Sequence, residues 1–154
     1  MSCHALESAA PGEFPFPRHF IFDWYDGPVS GLVECGPGGA VLAFRMVAWD
    51  DRQDRRIYVL QPSSAELPEK APLAHEEEGA FERYQDILRG AGPIEYVVQA
   101  EDEIPGLLRS VHRVGDAAVR ERVESMMVAV GLEEDFAASE HTYDEWAALL
   151  RTIP

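Results

Sequence analysis

The chain has 154 residues, 46% of them hydrophobic, with 28 acidic against 13 basic side chains and a formal net charge of −15. That is the size of one ordinary domain with a sizeable core, and it lacks the basic footprint that direct nucleic-acid binding requires. No run approaches the ~18–20 apolar residues of a membrane span and no basic-then-apolar leader opens the chain, so a protein that neither enters a membrane nor is exported is expected.

Residues 1–18 are rich in small residues, Pro and Gly and read as a loose N-terminal arm, with Phe14 and Phe16 available to pin it to the body. The remaining residues, 19–154, read as a single domain. Cys3 lies in the arm and Cys35 at a strand end. Two cysteines do not make a disulfide framework, so a reducing, cytoplasmic setting is expected.

Residues 19–61 contain four short extended runs separated by three punctuation points. In the first, 19–25, period two puts Phe20, Phe22 and Trp24 on one face and His19, Ile21, Asp23 and Tyr25 on the other. Asp26-Gly27-Pro28 then makes a turn, because Asp can bond its own backbone, Gly accepts positive φ and Pro cannot extend a ladder. The second run, 29–35, ends at Gly36-Pro37-Gly38-Gly39. The third, 40–49, is the longest and most apolar, with only Arg45 charged, which marks a central strand. Residues 50–54 close it, and 55–61 supply a fourth strand through Ile57, Tyr58, Val59 and Leu60. Connections this short favour antiparallel neighbours.

Prolines mark 62–73 as a linker. Apolar spacing predicts a helix over 75–89, with Glu76, Glu77 and Glu78 in its first turn and Gly90 beyond its end. Residues 94–100 alternate and suit a fifth strand, with an apolar helix start as the alternative. Ile104, Leu107, Leu108 and Val111 suggest a short helix; Asp116 caps a longer one to about Val130, with Val119, Val123, Met126 and Met127 inward. Thr142 and Glu145 form a capping box for a terminal helix carrying Trp146, Leu149 and Leu150. The expected fold is α+β: an N-terminal antiparallel meander of four or five strands, with three or four C-terminal helices on one face.

The search for catalysis yields no assigned catalytic residue. Ser30 lacks the spacing of a nucleophile elbow, and the glycines at 36–39 have no following Lys-Ser/Thr. No histidine pair has zinc-helix spacing, and Lys70 is the only lysine. No cofactor is expected, and a metal site is left unassigned.

The meander itself carries the site expectation. In an up-and-down sheet the first and third turns share one edge, so Asp26 should gather with Asp50, Asp51 and Asp54, beside Asp23, Trp24, Tyr25 and Trp49. Such an acidic, aromatic rim suits a basic protein partner. The overall profile, a small acidic α+β domain with aromatics at its rim and no catalytic motif, is similar to that of immunity proteins and other inhibitors of basic toxins or nucleases. The alternative is a small metal-assisted or acid–base enzyme using the same aspartates; a second is an oligomeric adaptor or structural protein.

Overall fold

The computed structural model describes residues 3–10, 12, 16, 18–24, 28–36, 39–50, 52–53, 55–66, 70, 72–101, 107–127 and 143–153. Among them the elements are α1 (His4–Glu7), β1 (His19–Trp24), β2 (Pro28–Glu34), β3 (Val41–Asp50), β4 (Arg55–Ser63), α2 (Ala80–Arg89), β5 (Tyr96–Glu101), β6 (Leu107–Arg113), α3 (Ala117–Met127) and α4 (Tyr143–Leu150). The strands form one antiparallel sheet in the order β1-β2-β3-β4-β5-β6, which makes the fold α+β. None of the described helices is long and apolar enough to cross a membrane.

Helices α2, α3 and α4 lie on one face of the sheet. Ala80, Tyr84 and Leu88 of α2 cover Phe22, Leu32 and Ala43, with the Phe22 and Tyr84 rings stacked 3.9 Å apart. Val123 of α3, together with Trp146, Leu149 and Leu150 of α4, covers Val47, Ala48, Ile57, Val59 and Val97. Asp116 caps α3 as the sequence suggests, its Oδ1 accepting the Ala118 N–H at 2.7 Å.

The opposite face is covered by the arm. Cys3, Leu6 and Phe16 are fully buried against Leu42, Phe44, Tyr58, Leu60, Tyr96 and Val98. Phe16 is thus an anchor, while Phe14 lies outside the described residues. The Cys3 N–H donates to the Tyr96 hydroxyl at 2.8 Å, which in turn donates to Glu7 Oε1 at 3.0 Å; Arg113 pairs with the same oxygen at 3.1 Å. The thiols expected from the cysteine count are replaced by a Cys3–Cys35 disulfide, with Cα atoms 5.3 Å apart across a sequence separation of 32. The arm folds back over the sheet and brings together residues that spacing alone does not relate. Closing a loop of that length stabilises the fold by roughly 3–4 kcal/mol in the chain-entropy account. Burial of Leu6 and Phe16 contributes about 1.5–3 kcal/mol each, so cross-link and packing hold the arm about equally.

Three further expectations change. The helix suggested by Ile104, Leu107, Leu108 and Val111 is strand β6 over its described part, because β5 takes 107–113 as its antiparallel partner, and that pairing overrides a short local spacing. The helix expected from 75 starts at Ala80, after Gly79 at φ +82; the described Glu76–Glu78 therefore precede it, and Glu76 Oε2 accepts the Leu73 N–H at 3.0 Å. In β1, register shifts after Ile21 and Asp23 break the alternation, so Trp24 does not continue the Phe20–Phe22 stripe. The outer side of β1 is also occupied, since the Ala74 N–H donates to the Phe22 carbonyl at 2.7 Å.

Gly31 is required where β2 passes between β1 and β3. A Cβ there would overlap the Phe20 carbonyl oxygen and approach the Phe44 ring to 2.8 Å. Gly31→Ala is therefore expected to cost about 3 kcal/mol or more in urea denaturation. Tyr96→Phe leaves the Cys3 N–H and Glu7 without their shared partner and should cost about 1–3 kcal/mol in the same assay. Burial first, and then the Glu7 carboxylate, raises the Tyr96 pKa above the usual tyrosine value against the opposing Cys3 N–H bond and Arg113 charge. The neutral phenol is thus favoured by folding, and this contribution is constant below about pH 10 and lost as pH rises beyond it. A thermal midpoint that falls more steeply above pH 10 in wild type than in Tyr96→Phe would show this.

Candidate acidic edge

Register fixes which strand ends meet. Trp24 pairs with Pro28, Asp50 with Arg55, and Glu101 with both Arg55 and Leu107. With all the strands antiparallel, the ends flanking 25–27, 51–54 and 102–106 lie along one edge of the sheet. Ser30 pairs with Arg45, and β3 then runs on to Asp50 whereas β2 begins at Pro28. The edge is therefore stepped, the β3 end standing beyond the β1–β2 end by roughly 10 Å at the rise of a strand.

Of the residues expected at this rim, Asp23, Trp24, Trp49 and Asp50 are described; Tyr25, Asp26, Asp51 and Asp54 lie outside the described residues. Among the described residues Trp24 is one of two exposed large hydrophobics, at 42%. Asp23 is exposed, and its Oδ1 accepts the Trp24 N–H at 2.9 Å. Trp49 is turned inward to the arm-covered core, where the fully buried Arg56 guanidinium lies 4.9 Å from its ring centroid. This stacking, with an Arg56 contact to Met46 Sδ at 3.4 Å, places a cation directly beneath the acidic edge. Trp49 thus braces the rim and leaves Trp24 as its described exposed aromatic.

Asp50 is half-buried, and its Oδ1 accepts the Arg52 N–H at 3.1 Å, which closes the start of the turn. Its neighbours in register are Arg55 and, one strand further, Glu101. Local spacing does not place Glu101 at this edge, because it makes a helix of the segment with Leu107, Leu108 and Val111 that pairs here with β5 as β6. The residues after it, Asp102 and Glu103, add two acids to the sequence joining β5 and β6. Among the described residues, no group of three or more His, Cys, Asp or Glu side chains is placed to hold a metal ion.

A second polar group lies under α4. Ser110 Oγ donates to Gln99 Oε1 at 2.6 Å, His112 Nε2 lies 3.0 Å from that hydroxyl, and Gln99 Nε2 donates to the Tyr143 hydroxyl at 3.2 Å. His112 Nδ1 lies 3.3 Å from the Ile153 carbonyl oxygen, which can only accept, so in the neutral ring Nε2 is an acceptor and the Ser110 hydroxyl faces two of them, Gln99 Oε1 and His112 Nε2. The group joins β5, β6 and α4.

If the Asp50 carbonyl-type oxygen is what the turn needs, Asp50→Asn should leave stability within about 0.5 kcal/mol, since Asn Oδ1 accepts the same bond. Asp50→Ala should cost about 1 kcal/mol. Paired urea curves at low and high salt would separate this local bond from charge repulsion along the edge.

No protein-family model matches the chain, and no curated protein or solved structure matches it either.

Proposed function

We propose that the chain is a protein-binding module whose acidic sheet edge docks a basic partner, in the manner of an immunity-type inhibitor that covers a basic toxin or nuclease domain. The observation that carries this reading is the convergence of three acidic strand ends on one stepped edge, with Trp24 exposed among them. Rigid strands hold these side chains in place before encounter, which reduces the ordering cost of binding. A net charge of −15 draws in a basic partner at long range, and an aromatic supplies the desolvated anchor that charge alone does not. A Cys3–Cys35 bond fits an oxidising compartment, in place of the cytoplasmic setting expected from sequence. Charge steering operates in either.

The test is association with basic proteins encoded beside this chain, followed by calorimetry and stopped-flow kinetics. Binding should weaken roughly tenfold or more between low and high salt, mainly through the on-rate. Trp24→Ala should cost about 2 kcal/mol through the off-rate. Absence of binding to every such protein, or a complex indifferent to both salt and Trp24, would overturn the reading.

A further inference from the structure

We infer that the Cys3–Cys35 disulfide is a redox latch: it clamps the N-terminal arm over one face of the sheet, and its reduction lets that arm open while the sheet stays folded. The latch is a separate feature from the docking edge. The arm crosses the sheet from Cys35, just past the end of β2, to Tyr96 on β5 and Arg113 on β6. It covers Leu42, Phe44, Tyr58 and Tyr96, a face on which the arm's own α1 is the one described helix.

Three observations make this a latch and not a staple of the whole fold. The cross-link joins the arm to one strand end and leaves the pairings from β2 to β6 untouched. The non-covalent hold on the described arm, through Leu6, Phe16, the smaller Ala5 and Ala9 and a Tyr96–Glu7–Arg113 chain with Glu7 and Arg113 partly solvated, is about equal to that of the cross-link, so breaking the bond removes about half of what keeps the arm closed. Lastly, the two sulfur-bearing residues differ in access, Cys3 being fully buried and Cys35 half-buried.

That difference sets the chemistry. A thiolate of a dithiol reductant attacks Cys35 Sγ, the Sγ–Sγ bond breaks, and Cys3 leaves as a thiolate that takes up a proton. The second thiol of the reductant then displaces Cys35. The protein gains two electrons and two protons, and the reductant departs as its own disulfide. With the loop no longer closed, the arm samples open states.

The experiment is amide hydrogen exchange on the full chain, oxidised and after treatment with dithiothreitol. The amides of Leu6, Glu7 and Ser8, which bond within the arm, should exchange roughly tenfold faster or more after reduction. The amides of β3 and β4 should keep their protection. In the reduced protein Glu7→Gln should accelerate arm exchange further, while in the oxidised protein it should change it little. Cys35→Ser should reproduce the reduced pattern; if that variant does not fold, dithiothreitol on the wild type still decides. Equal arm exchange in both redox states would overturn the latch. So would loss of β3 and β4 protection together with the arm, which would make the bond a staple of the fold, and so would alkylation of both cysteines in protein kept under air without reductant.

Discussion

Strands β3 and β4 are buried on both sides, and the rest of the molecule is placed by the need to cover them. From Arg56 to Leu60 every residue of β4 is buried, and β3 shows the same pattern interrupted only at Arg45. A sheet apolar on two faces requires two covering layers. Helices α2, α3 and α4 provide one. Among the described residues the other is supplied by the segment before β1, so Cys3, Leu6 and Phe16 are as deeply buried as the strand residues beneath them. A segment with the composition of a tail thus acts as a layer of the core.

The same two-sided burial explains how charge is handled in the central strands. Arg56 is wholly buried, its flat guanidinium stacked over Trp49 and donating to Met46 Sδ. Arg45, on the helix-covered face, donates to Gln61 Oε1 at 3.1 Å, and burial lowers its pKa. At the edge, Arg55 stands between Asp50 and Glu101 in register and divides acids that would otherwise adjoin. The negative field is thereby carried at the strand ends, and cations occupy the interior behind it.

Much of this architecture was legible because it rests on local periodicity. Alternation in 29–35 and 40–49, glycine and proline at the turns, and the cap at Asp116 each carry their own structural instruction. From them the shared edge of the first and third turns follows by geometry. What was not legible depends on contacts distant in sequence. Leu107, Leu108 and Val111 have helical spacing, and only the free side of β5 makes their segment a strand. The inward turn of Trp49 depends on a register shift in β3 between Met46 and Ala48, which no composition rule anticipates. Cys3 and Cys35 meet because the arm has a whole sheet face to cover. Glu101 joins the rim only because the segment after it is strand β6 and not the helix its spacing suggests.

The Ala74 N–H bond to the Phe22 carbonyl has a consequence for assembly. An open sheet grows into a fibre only if each copy offers two free borders, one to give and one to receive. Here the border at β1 is bent by two register shifts and already holds a bond from the chain's own linker. Copies meeting through their β6 borders would pair face to face about a twofold axis and consume both borders at once. Such a contact ends at two molecules, so the sheet's topology itself guards the chain against runaway polymerisation.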